Sequence, residues 1–162
     1  MNSDELLIEK FFNAFKKLDA KTMCECYADD VVFYDPMFDL LYGEHAKAMW
    51  QMLCKSATDF SLIYNSITNL DDGYYTCKWV ATYTFSNTKQ KVINDCKAHF
   101  KILDGLIIEH SDAWSFYKWS EQAFGLTGKL LGGLGLFRNR IKNSAKMQLL
   151  NYIENNKAHN KL

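Results

Sequence analysis

AHFKILDGLIIEHSD, residues 98–112, reads as two strands folded back on each other. Asp104-Gly105 sits at the turn, where glycine takes a positive φ without steric penalty. β-Branched and aromatic residues fill both flanks. Working outward, Asp72-Gly73 and the tetrapeptide SNTK at 86–89 punctuate the chain in the same way. Four strand-like runs result, at about 60–70, 74–85, 90–103 and 106–117. Three hairpins in series make them an antiparallel meander.

The residues before the meander follow a different period. Leu7, Ile8, Phe11, Phe12, Phe15 and Leu18 recur at helical spacing. Asp19 is placed to cap a short second helix that buries Met23, Cys26 and Tyr27. DDVVFYD, residues 29–35, reads as a strand stopped by Pro36, the only proline, with residues 37–43 as a loop. A third helix follows Gly43 and carries Ala46, Met49, Trp50, Leu53 and Ala57 on one stripe. Helices first and a curled meander second give an α+β layer fold, with the helices packed on one sheet face.

The tail is distinct. Five of the eight glycines fall in GLTGKLLGGLG, residues 125–135. Leu134, Phe137, Ile141, Ala145, Leu149 and Tyr152 then keep helical spacing. Residues 1–117 carry 11 Lys/Arg against 17 Asp/Glu, whereas residues 118–162 carry 8 against 2. A basic tail on an acidic body points to a helical extension (118–162) folded back on one domain (1–117). The glycines would serve as a bend or lid hinge. Contact of this tail with anionic lipid is the alternative to such packing.

At 162 residues, 48% of them apolar and 15% aromatic, the chain can bury a real core. The five cysteines are odd in number and lack zinc-ligand spacing, and residues 1–20 read as a helix rather than a secretory leader. A reduced, cytoplasmic protein without structural metal is expected, and no apolar run is long enough to span a bilayer. GLTGKLL lacks the spacing and context of a phosphate-binding loop, and no cofactor motif or nucleic-acid motif appears. Both arginines, Arg138 and Arg140, lie in the tail, so a guanidinium clamp within the core is not expected.

Two helices, a strand, a third helix and a four-strand meander resemble the NTF2-like superfamily, which includes ketosteroid isomerases and SnoaL-like polyketide cyclases. The resemblance covers about residues 5–117. It is carried by FFNAFKKLDAKTMCECYADDVVFYDP, YGEHAKAMW and AHFKILDGLIIEHSD. It implies a cone-shaped NTF2-like fold, in which the sheet curls around the helices to leave an apolar pocket. It also implies that Asp35 matches the position of the isomerase base. The isomerase's two enolate-binding donors, however, fall on Phe11 and Ala98, which cannot donate. Losing one such donor typically costs about a hundredfold or more in rate. Steroid isomerisation is therefore not expected. The late-strand aspartate that acts in SnoaL-like cyclases corresponds to the IIEHSD region.

Alternation along LIIEHSDAWSFYKW puts Ile108, His110, Asp112, Trp114 and Phe116 on one face. Asp35 and Asp112, facing each other across an apolar cavity, would push their pKa values apart and supply one acid and one base. His110 would shuttle protons or orient Asp112. Two plainer readings stay open. Asp35 before a proline also shapes turns, and His110 and Asp112 also make sense as a satisfied polar pair. Trp50, Trp79, Tyr83 and Trp114 are candidate walls, with Phe11 and Ala98 at the former donor positions; an aromatic stripe equally makes plain core. His99 is expected outside, towards a dimer interface, and His45 at a helix start. The expected function is acid/base chemistry on a small apolar or aromatic molecule in a homodimer. The competing readings are binding of a hydrophobic ligand without turnover, and an interaction module plugged by its own side chains.

Overall fold

The computed structural model describes residues 2–65 and 67–159. Helix α1 (Ser3–Lys16) opens on a capping box between Asn2 and Glu5. It buries Ile8, Phe11, Phe12 and Phe15. Helix α2 (Ala20–Glu25) begins at Asp19, whose carboxylate accepts the Thr22 amide. Strand β1 (Tyr27–Asp35) leads through a turn at Pro36 to β2 (Asp39–Tyr42), so part of the expected 37–43 loop is a strand. The two pair as a hairpin that ends on Asp35 opposite Asp39. Helix α3 (Gly43–Ser56) follows, with Cys54 buried where Leu53 was expected. Leu53 instead sits at a cavity edge.

The first meander run is broken into β3 (Ser61–Tyr64) and β4 (Thr68–Asn69). Both pair with β5 (Tyr74–Thr84). Strand β6 (Lys91–Leu103) and strand β7 (Leu106–Ala113) complete the antiparallel series around Asp104-Gly105, both at positive φ. The sheet order is β2-β1-β7-β6-β5-β3, with β4 also on β5. Because β1 joins β7 in parallel, the curled sheet is mixed rather than wholly antiparallel. The helices lie on one face of this sheet, and the α+β architecture stands as expected.

Two local features move residues from their expected places. A register shift between Lys101 and Ile102 puts an extra residue in β7, so Ile107 is buried and Ile108 is not. Strand β7 then ends at Ala113. Trp114 falls in the connection, and Phe116 begins helix α4 (Phe116–Phe124), capped by Ser115. Helix α5 (Leu126–Leu131) and helix α6 (Gly135–His159) complete the chain. Leu149 of α6 is buried in the core, with Ile141, Ala145 and Ile153 packed against it. Lys142 and Lys146 pair with Asp39 of β2, the latter at 2.6 Å. Burial pushes the Asp39 carboxyl up, but these two ammoniums outweigh it and hold it below the usual carboxylate range.

Candidate active site

The parallel pairing of β1 with β7 builds the site. Phe33 is opposite His110 and Tyr34 is opposite Ser111. Continued one step, this register sets Asp35, the last residue of β1, beside Asp112, the last but one of β7. Strand parity turns both inward with Phe33 and His110. The two carboxylates are thus neighbours on one wall, not partners across a cavity. The sequence could not show this, because no local signal says that β1 joins β7.

Asp35 does two things at once. Its Oδ1 accepts the Met37 amide at 3.0 Å and the Phe38 amide at 2.6 Å, which fixes the turn after Pro36. No protein donor among the described residues meets Oδ2. Burial pushes the Asp35 carboxyl up to about 7, against the two amide bonds, and the nearby Asp112 charge adds to the rise. The plain turn-shaping reading is therefore present in the structure together with the pocket-facing one.

Asp112 ends a buried chain of hydrogen bonds. Trp50 Nε1 donates to Tyr27 Oη at 2.8 Å. Tyr27 Oη is 2.6 Å from His110 Nδ1, and His110 Nε2 is 3.2 Å from Asp112 Oδ1. Trp79 Nε1 donates to the same Asp112 oxygen at 3.1 Å. Only one assignment leaves no proton unpaired. Tyr27 receives from Trp50 and donates to Nδ1, so His110 is neutral with its proton on Nε2, donated to Asp112. A charged imidazole would leave the Tyr27 hydroxyl proton without an acceptor. Burial also pushes the Tyr27 hydroxyl well above its ordinary pKa, which keeps its proton in place. Tyr27 was expected as core on the second helix; it instead opens β1, and nothing in the local sequence marked this role.

A cavity of about 970 Å³ opens in front of the carboxylates. Asp35, Asp112, Trp50, Trp79, Tyr83 and Trp114 all line it. His110 does not; it lies behind Asp112, packed tilted on Phe100 with ring centroids 4.2 Å apart. Phe11 and Ala98 are fully buried and do not line the cavity either. Phe11 stacks on Tyr27 at 5.4 Å instead, and Ala98 is buried in β6 between Cys77 of β5 and Asp112 of β7. The tail closes one side, where Phe137, Arg140, Ile141 and Tyr152 join the lining. A guanidinium therefore does reach the cavity, delivered by α6 rather than by the core. His45 is exposed at the start of α3, and His99 is half-buried on the outer sheet face.

Tyr83, part of this wall, has a hydroxyl proton to spare. Its oxygen accepts Trp119 Nε1 at 2.9 Å, and no acceptor among the described residues takes its own proton. Burial, opposed by that Trp119 bond and aided by the Asp35 charge, raises its pKa, so it stays a donor. Among the described residues no group of three or more His, Cys, Asp or Glu is placed to hold a metal ion.

A family model described as a SnoaL-like domain matches residues 8–110, well over half of the chain. The chain belongs to the SnoaL-like domain family. Solved structures of similar shape agree with this SnoaL-like fold. A candidate polyketide cyclase from Xanthomonas campestris pv. campestris is 17% identical, with a TM-score of 0.62, covering 75% of this chain and 96% of its own. An LEH-like epoxide hydrolase from M. tuberculosis is 18% identical, with a TM-score of 0.62 and coverage of 83% and 95%. A protein of ketosteroid isomerase-like fold from Catenulispora acidiphila, solved with trimethylamine, is 11% identical, with a TM-score of 0.66 and coverage of 76% and 95%. At these identities the likeness concerns the fold. No curated protein sequence matches this SnoaL-like chain.

Proposed function

We propose that this SnoaL-like protein is an acid/base enzyme, an isomerase, cyclase or hydrolase, acting on a small apolar or aromatic molecule. The observation that carries the reading is the pair of neighbouring inward carboxylates, Asp35 and Asp112, in an apolar cavity. Asp35, with its pKa raised to about 7, holds or releases a proton through its free Oδ2 near neutral pH. Asp112 is the second proton-transfer group. His110, held in turn by Tyr27, orients it. Tyr83, with its unshared proton, is placed to donate to an oxygen of the bound molecule, which favours a substrate bearing a carbonyl, epoxide or hydroxyl. Steroid isomerisation through the usual two donors has no support, because Phe11 and Ala98 are buried away from the cavity and neither can donate.

The cavity argues against a module plugged by its own aromatics. Trp50, Trp79 and Trp114 line it as walls and leave room for a ligand of modest size. A homodimer through the outer sheet face fits the exposed Tyr34 and half-buried His99 there. The five unpaired cysteines support a reducing, cytoplasmic setting.

Carbon-13 NMR titration of the side-chain carboxyls tests the proposal. Asp35 is expected to titrate near neutrality, and Asp112→Asn to lower its midpoint by removing a neighbouring charge. Ordinary values near 4 for both groups would sink the acid/base reading and leave ligand binding without turnover. Native mass spectrometry of the purified protein would report a retained molecule and its mass.

A further inference from the structure

The joint between α5 and α6 exposes a cluster of leucines that the fold does not use. Leu126 is 78% exposed, Leu130 77%, Leu134 55% and Leu136 90%. Single exposed leucines are ordinary, but four within eleven residues form a patch. Packing on the inner sides holds them outward. Gly128 lies against the Ser120 backbone of α4, and Thr127 and Leu131 turn to the cavity. Leu126 and Leu130, four apart on α5, are left on the remaining side. At the start of α6, Phe137 packs edge-on against Phe124 with centroids 5.7 Å apart, which leaves Leu136 pointing away. Met147 and Leu150 continue the exposed apolar side of α6.

The charge around this patch has one sign. Residues 122–153 contain Lys129, Arg138, Arg140, Lys142 and Lys146 and not a single Asp or Glu. Lys142 and Lys146 are tied to Asp39. Lys129, Arg138 and Arg140 have no carboxylate partner among the described residues. Arg138 instead lies over the Phe116 ring, 5.3 Å from its centroid.

We propose that the α5–α6 corner docks on an anionic lipid surface. The leucines would enter the boundary between headgroups and acyl chains, and the unpaired cations would meet the headgroup phosphates. No helix among the described residues is long and apolar enough to cross a membrane, so the contact is peripheral. Leu131, Phe137, Arg140 and Ile141 of the same segment line the cavity. Docking therefore sets the outer side of one cavity wall on the bilayer, which, if the cavity takes an apolar molecule as proposed above, brings that molecule's binding site close to the lipid. The docking itself does not depend on that reading.

The test is co-sedimentation of the full chain with vesicles of phosphatidylcholine alone and of phosphatidylcholine with phosphatidylserine. Binding is expected only to the phosphatidylserine vesicles, weakening as salt rises. The surface variants L130D/L136D and K129E/R138E should each lower the partition coefficient by about tenfold or more while circular dichroism stays unchanged. The readout needs no ligand, so it is independent of the carboxyl titration. Absence of binding at low salt, equal binding to both vesicle types, or unchanged binding by L130D/L136D overturns the proposal. So does a stable dimer that L130D/L136D converts to monomer, because the patch would then be covered by a second copy of this chain.

Discussion

Asp35 is the residue whose reading gained most from the structure. The fold favours its protonated form, since burial raises its pKa to about 7. The stability it contributes is fully present below the ordinary carboxyl value of about 4 and is lost as pH rises through about 7. Asp35→Asn keeps an oxygen for the Met37 and Phe38 amides and removes the titration. The variant is expected to be the more stable protein at about pH 8, by up to roughly a few kcal/mol, with the gap closing by about pH 4; melting temperatures against pH report this. At the other end of the wall, Tyr27→Phe leaves the Trp50 N–H and His110 Nδ1 without their buried partner. It should cost about 2–4 kcal/mol, read by urea denaturation. Asp35 and Asp112 were legible because a charge in an apolar run is conspicuous. Tyr27 was not, because a tyrosine in a core looks the same whether or not its hydroxyl is placed between a tryptophan and a histidine.

At the scale of elements, turn and cap chemistry carried over well. Asp19 caps α2 and Asp104-Gly105 turns the last hairpin, as their local signals require. The glycine-rich stretch was less transparent. It was expected to bend or hinge, and Gly125 does sit at φ 58° between α4 and α5. Gly128 instead permits a close approach of helices, since a Cβ there would stand 1.8 Å from the Ser120 carbonyl oxygen. Gly128→Ala should therefore lift α5 from α4 and cost about 1–3 kcal/mol. Gly133→Ala, with open space around it, should change the melting temperature little. Composition cannot separate these cases, since a close approach between helices is a property of the pair. The same holds for Ile107 and Ile108: strict alternation favoured the second, and a bulge in register selected the first.

At the scale of the whole molecule, the tail and the body make one cavity. Asp39 holds α6 through Lys142 and Lys146, so Asp39→Asn should loosen that helix. Hydrogen exchange in residues 135–159 is expected to speed up, with the β5–β7 strands unchanged. Because Asp39 is held below the usual carboxylate range, its contribution is present above about pH 4 and fades on further acidification. The α5–α6 leucines belong to this scale too, as surface left over once helix packing is complete. The sequence by itself determined α1, α2, α3 and α6, the meander hairpins and the α+β layering, because each rests on periodicity or turn chemistry within a few residues, while the family resemblance singled out Asp35 and the late-strand aspartate. Tertiary structure decided that β1 lies parallel to β7, which turned two carboxylates expected across a cavity into neighbours on one wall. It also decided that α6 brings Arg140 to that cavity. Strand partnership and helix docking come from the shape and charge of distant surfaces meeting, and no local pattern encodes them.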